Sequence, residues 1–136
     1  MTHPLIQRLF DDWGYPEVTL ETHQAFVSQP GVTVLFFAGD PNRFRDTTDV
    51  AVVLPELVKA FGGKLQPGVV AADAGQTLQR YYGFTAWPTL VFLRDGGYLG
   101  NITGIQNWSE YLHDIGELIT AEVQQPKGFK VPVVSA

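Results

Sequence analysis

Tyr82-Gly83-Phe84-Thr85-Ala86-Trp87-Pro88-Thr89-Leu90-Val91-Phe92 changes character twice within a short span. A short helical stretch, Ala74 to Tyr82, closes at Gly83, a residue free to take the left-handed conformation that ends helices. Pro88 then fixes its own φ and pushes Trp87 toward extended backbone, so the helix cannot run on into the apolar segment Leu90 to Leu93. That segment reads as a strand. Asp95-Gly96-Gly97 follows as a hairpin turn, and Tyr98 to Thr103 returns as its partner.

Upstream, Val32 to Ala38 is apolar, β-branched and aromatic without alternation, which suits a strand buried on both faces of a sheet. Gly68 to Ala72 reads as a second buried strand and Pro16 to Leu20 as a short one. Between them lie helical patterns. Leu5, Ile6, Leu9, Phe10 and Trp13 share one face of a first helix, with Thr2 as its cap and Gly14 as its stop. A short helix is expected around Thr22 to Ser28, closed by Gln29-Pro30-Gly31. Asp49 is expected to cap a longer helix whose stripe is Val50, Val53, Leu54, Leu57, Val58 and Phe61, with Pro55 kinking it. Asn107 and Glu110 form a capping-box pattern for a last helix that buries Trp108, Tyr111, Leu112, Ile115, Leu118 and Ile119. Tyr81 also reads as packing.

Strands separated by helices imply parallel crossovers, and the final hairpin adds an antiparallel pair. The expected fold class is therefore α/β: one central mixed sheet flanked by helices. Residues 1–15 supply an N-terminal helix, residues 16–123 the main domain, and residues 124–136, with two prolines and no period, a loose tail. There is no internal repeat and no low-complexity segment.

The chain has 136 residues, of which 45% are hydrophobic and 12% aromatic, enough for one folded domain. Nine Lys and Arg against fourteen Asp and Glu give a net charge of −5, which argues against a nucleic-acid partner. No apolar run approaches the roughly 18–20 residues of a membrane span. Met1 to Trp13 lacks a charged region followed by an apolar one, so it does not read as a secretory signal, and a cytoplasmic location is expected. The chain has no cysteine. Thiol–disulfide exchange, thiolate catalysis and thiolate metal sites are thereby excluded. His3, His23 and His113 lie far apart with no neighbouring ligands, so no metal or other cofactor is expected.

The segment from Tyr82 to Phe92 resembles the second signature of the thioredoxin family, in which a tyrosine–glycine pair ends a helix and a proline–threonine pair opens a strand. Asp95-Gly96-Gly97 fits that family's hairpin, Thr103-Gly104 the glycine before its last helix, and Pro55 the proline in its long helix. The resemblance covers roughly residues 16 to 123 and implies a thioredoxin-like fold with a cis Trp87–Pro88 bond. It also places the redox dithiol near Thr47 and Val50, where no thiol exists. The preceding strand carries Leu35, Phe36 and Phe37 in place of a buried carboxylate. A polar loop, Gly39 to Asp46, replaces the usual approach to the dithiol.

A narrower resemblance fits these departures. Gly39-Asp40-Pro41-Asn42-Arg43, Asp49-Val50-Ala51-Val52-Val53-Leu54-Pro55-Glu56-Leu57, Ala72-Asp73 and Gly100-Asn101-Ile102-Thr103-Gly104-Ile105 are similar to the cysteine-free, thioredoxin-like hydrogenase maturation proteins of the HyaE, HupG and HoxO kind. What this implies is a non-catalytic chaperone for the small subunit of a nickel–iron hydrogenase. It would bind the precursor's twin-arginine signal peptide and delay export until assembly is complete. Other hydrogenase maturation proteins are further expected partners.

On that reading Trp87 and Pro88 lead the candidates, because the residue before the cis proline offers backbone groups to an extended peptide. Trp87 adds a large apolar platform with an indole donor; its alternative is to pack against the replacement loop. Phe44 and Tyr98 are the other apolar candidates. Asp40, Asp46, Asp49, Glu56 and Asp73 are candidate acceptors for guanidinium groups, which pair with carboxylates through a planar fork. Each of these has the competing reading of a cap, a turn or a solvated charge. A structural scaffold docking a folded maturation partner is the rival class. A cysteine-independent enzyme using His23 or Asp73 as a base lacks a visible second catalytic group beside either residue.

Overall fold

Val32–Phe37, strand β2, is buried at every position, because the sheet covers its two edges and helices cover its two faces. The computed structural model describes residues 3–126. Around β2 the order is α1 (Pro4–Asp11), β1 (Glu17–Val18), α2 (His23–Val27), β2, α3 (Asp46–Ala60), β3 (Leu65–Val70), α4 (Gly75–Tyr82), β4 (Thr89–Arg94), β5 (Gly97–Thr103) and α5 (Trp108–Leu118). A 3₁₀ turn, Ala72–Ala74, joins β3 to α4.

The strands lie side by side as β1-β3-β2-β4-β5. β1, β3 and β2 run parallel, and β4 and β5 antiparallel to their neighbours. Alternation along β2 divides the core. Val34 and Phe36 face a cluster with Leu9 of α1, Leu54 and Leu57 of α3, and Tyr111 and Ile115 of α5. Leu35 and Phe37 face the other way, toward Val27 of α2 and Leu78 and Tyr82 of α4. The mixed sheet with helices on both faces is the architecture expected from the sequence.

Several local readings shift. Thr2 lies outside the described residues, and His3 caps α1, its Nδ1 accepting from the Leu5 N–H at 3.1 Å. Asp49 is not the cap of α3. That helix begins at Asp46, so both carboxylates fall in its first turn, where they offset the positive end of the helix. β3 begins at Leu65, despite Pro67. Val69 N–H donates to Pro16 C=O, so Pro67, two residues earlier, turns its missing donor to the same side, where β1 does not reach. Gly83, at φ +82°, ends α4 as read, and Asp95 and Gly96 at φ +52° and +88° make the hairpin turn. The Asn107–Glu110 capping box is present. Trp108, expected in the core, is 44% exposed, and Tyr81 is exposed as well.

The expected tail begins at a residue that is tied to the sheet. Gln124 pairs with Tyr98 of β5, its N–H donating to the Tyr98 carbonyl at 2.8 Å and its side-chain amide to Leu99 C=O at 3.2 Å. Residues 127–136 lie outside the described residues. No helix among the described residues is long and apolar enough to cross a membrane.

Candidate functional site

Parallel β2 and β3 end at the same edge of the molecule as β4 begins, and the chain reverses there in loops. The Trp87–Pro88 bond is cis. Leaving β2, residues 39–45 wind tightly. Asp40 C=O accepts from the N–H groups of Arg43 and Phe44 at 3.0 and 2.9 Å, and its Oδ1 accepts from Asn42 N–H at 2.9 Å. The Thr47 hydroxyl donates back to Ala38 C=O, pinning the start of α3 to the end of β2. This folding lays Phe44 against Trp87, ring centroids 6.4 Å apart and planes tilted by 32°.

Trp87 is held on its other sides by Phe37 at 6.0 Å and Phe84 at 5.4 Å, both edge-to-face. Two glycines let it settle. A Cβ on Gly75 would stand 3.2 Å from the indole Cη2, and one on Gly39 would meet Phe44 Cδ2 at 2.9 Å and Trp87 Cβ at 3.1 Å. The aromatic pair forms one wall of a cleft of about 480 Å³ that also takes in Phe10, Glu17, Asp40 and Arg43. The Arg43 guanidinium lies 5.1 Å from the Phe44 ring centre, a cation–π contact.

Of the candidates read from the sequence, this cleft brings together Trp87, Phe44 and Asp40; Pro88, next to Trp87 in the chain, is buried and does not line it. Asp73 is exposed on the adjoining 3₁₀ turn. Asp46 turns away toward the loop before α5, where its Oδ2 accepts from Ile105 N–H at 3.4 Å. Asp49 is exposed one helical turn further on. Glu56 sits far along α3, 3.7 Å from Lys59 Nζ in an exposed ion pair. Tyr98 does not join them. It pairs with Leu93 at the hairpin end of β4, whereas Pro88 precedes the opposite end, about 14 Å away along the sheet. Glu17 was missed by the sequence reading. The parallel pairing of β1 with the end of β3 carries it to the cleft, and nothing local in the sequence announces that register.

Tyr98 belongs to a second cleft, of about 610 Å³, between α2, α4 and the hairpin. There Tyr82 Oη lies 2.6 Å from His23 Nε2, and the Tyr82 ring stacks on Tyr98 at 5.8 Å. Asn101 Nδ2 donates to the Tyr98 hydroxyl at 2.7 Å. Burial pushes the Tyr82 hydroxyl far above its ordinary range, and raises Tyr98 more than the Asn101 bond lowers it. Both hydroxyls stay protonated near neutral pH.

Burial also holds His23 below its usual 6.5, so the folded protein keeps the ring neutral where the unfolded chain protonates it. The unfolded state then binds more protons, so stability rises with pH across this range. That contribution is complete above 6.5 and is lost as pH drops from there through the lowered folded value. Thermal midpoints measured from about pH 8 to about pH 5 should fall more steeply for the wild type than for His23→Gln, whose amide can still meet the Tyr82 hydroxyl. Parallel curves would show that His23 is not the group responsible.

The comparisons with known proteins bear on the family and the fold. The model of the family "Hydrogenase-1 expression protein HyaE" matches residues 5–111. The hydrogenase expression/formation protein HoxO of Azotobacter vinelandii is 44% identical over 99% of this chain and 89% of its own. The HupG protein of Bradyrhizobium diazoefficiens is 46% identical over 76% of this chain and 70% of its own. A crystal structure of a putative HupG from Rhodopseudomonas palustris superposes with a TM-score of 0.56 at 40% identity, covering 76% of this chain and 93% of that one. A thioredoxin mutant from Halobacterium salinarum matches with a TM-score of 0.60 at 22% identity, over 80% of this chain and 95% of that one, which speaks for the fold alone. With a thioredoxin-like fold, no cysteine and relatives of this closeness, the chain belongs to the HyaE family of hydrogenase expression proteins.

Proposed function

We propose that this protein is a non-catalytic chaperone of hydrogenase maturation, acting in the cytoplasm on the small-subunit precursor. It binds the precursor's twin-arginine signal peptide and delays export until assembly is complete. The observation that carries the reading is an aromatic, carboxylate-bearing cleft built on a cis proline in a chain without a thiol. Ala86 C=O is taken by the Thr89 hydroxyl at 2.7 Å, and Pro88 C=O by Gly104 N–H at 2.8 Å. Among the described residues, the N–H and C=O of Trp87 between them have no backbone partner. An extended peptide can pair with these groups as an added strand would.

Recognition of arginine follows from the walls. Glu17 and Asp40 supply carboxylates for a guanidinium fork, and Trp87 supplies an aromatic surface in the same cleft. Arg43 already stacks on Phe44 in that cleft, an example of guanidinium on an aromatic ring. The family relationship to hydrogenase expression/formation proteins supports a hydrogenase-related partner.

The test is a calorimetric titration with a synthetic small-subunit signal peptide and with a copy whose two arginines are lysines. Saturable binding is expected for the first. The lysine copy, equal in charge but without the planar fork, should bind on the order of 10-fold more weakly, about 1.4 kcal/mol. Equal binding of both would remove the carboxylates from the mechanism. No binding of either would shift the reading to a scaffold that docks a folded maturation partner.

A further inference from the structure

Glu17, Asp40, Arg43 and His3 are the charged and titratable side chains that line the Trp87 cleft. His3 is engaged, its Nδ1 accepting from Leu5 N–H at the start of α1. Asp40 is engaged through Oδ1, which accepts from Asn42 N–H. Arg43 differs from both. Its backbone is fixed, the N–H donating to Asp40 C=O at 3.0 Å, but its side chain is exposed. Among the described residues the guanidinium forms no ion pair and no hydrogen bond, although two carboxylates line the same cleft. Its contact is the Phe44 ring, 5.1 Å away at the centroid.

A single exposed cation–π contact favours the stacked position by a factor of only about 2–5. With no second tie, Arg43 exchanges freely between the ring and water. The group that the cleft is proposed to receive is also a guanidinium. Phe44 is half-buried and Trp87 packs against the same ring, so little of it remains for a second cation. Two guanidiniums crowded there would also repel each other. One must leave as the other arrives, and the exchange is close to neutral because both groups are planar and weakly hydrated. Among the described residues no cation lies over the Trp87 indole, so the exchange concerns Phe44.

We infer that Arg43 is an internal competitor for the peptide's arginines. It stacks on Phe44 in the free protein, gives up the ring when a peptide arginine takes it, and returns as the peptide leaves. This rests on the chaperone reading above and adds to it a built-in limit on affinity. Such a limit acts mainly on the rate of release, which suits a protein that must surrender its precursor.

The experiment uses the full chain as wild type, Arg43→Gln, Phe44→Leu and the double variant, titrated calorimetrically with the synthetic twin-arginine peptide. Arg43→Gln should bind about 4-fold more tightly than the wild type. Made in Phe44→Leu, the same change should gain less than about 2-fold, because no ring is there to vacate. An equal gain in both backgrounds overturns the inference, since Arg43 would then act as a like charge near the site and nothing more. Unchanged or weaker binding in Arg43→Gln overturns it as well, and leaves the peptide in the Trp87 cleft. If neither the wild type nor Arg43→Gln binds, the chaperone reading falls and this inference with it. Proton NMR of the unaltered protein gives a second reading. The Arg43 side-chain resonances, displaced upfield by the Phe44 ring, should return to ordinary positions as the peptide saturates the site. Resonances that stay upfield in the complex would show Arg43 still on the ring and overturn the exchange. Thermal midpoints verify that the variants fold.

Discussion

Replacing Trp87 with alanine is expected to weaken binding of the twin-arginine peptide by roughly 30-fold or more, about 2 kcal/mol, the scale of an interface tryptophan seated in a pocket. Three losses combine. The indole is the largest side chain lining the cleft, it is the aromatic face offered to a guanidinium, and it packs against Phe44. Trp87→Phe keeps a ring against Phe37 and Phe84 and should retain affinity within about 5-fold, which separates loss of the platform from loss of the indole donor. The measurement is the same calorimetric titration, with thermal midpoints to confirm that both variants fold. Wild-type affinity in Trp87→Ala would mean that the peptide does not cross this cleft.

The effect would be local because the scaffold under Trp87 is set by long-range strand pairing in which Trp87 itself takes no part. β2 is paired to β4 along its whole length and to β3 from Val32 to Phe36, and β4 to β5 from Thr89 to Arg94. Arg94 adds a tie from the hairpin to the end of α5, its guanidinium donating to Ile119 C=O at 3.1 Å and Ala121 C=O at 2.8 Å. Binding groups on loops above such a frame can be exchanged at modest cost.

Much of that frame was legible in the sequence. A continuous apolar run such as Val32 to Phe37 is itself the signature of a strand covered on both faces, and the Gly83 stop, the Asp95-Gly96 turn and the Asn107–Glu110 box are local chemistry. What failed were readings that local rules do not reach. Trp108 has the spacing of a core residue, but periodicity reports a face of a helix and cannot report where the sheet beneath it ends. The start of α3 moved to Asp46 because the Thr47 hydroxyl ties back to Ala38, a bond between segments joined by a loop. Glu17 and Tyr98 changed places as site residues for a related reason. Strand register put Glu17 beside Trp87 and Tyr98 at the far end of β5. Trp87 and Phe44 entered through family resemblance, and their contact depends on a tight loop whose main requirement is a glycine.

That glycine is the basis of the other large effect. Gly39→Val is expected to destabilise the protein by about 3 kcal/mol, combining roughly 1–2 kcal/mol for a side chain in the left-handed region with the overpacking of a filled site. Gly39 sits at φ +72°, and a Cβ there would stand 2.9 Å from Phe44 Cδ2 and 3.1 Å from Trp87 Cβ. Phe44 is carried by a loop and can move; Trp87 is packed against Phe37 and Phe84. The added side chain should therefore drive Phe44 off the indole, opening the aromatic wall as well as straining the backbone. A thermal scan would read this as a fall in midpoint on the order of 10 °C for a domain of this size. Adding Phe44→Ala to Gly39→Val removes one of the two collisions, so the double variant should recover on the order of 1 kcal/mol relative to the sum of the single ones, a coupling typical of residues in contact. An unchanged midpoint in Gly39→Val would show that the loop readily takes another path. Strict additivity would show that Phe44 already stands clear of Gly39, and the aromatic wall proposed to receive the peptide would not be the one described.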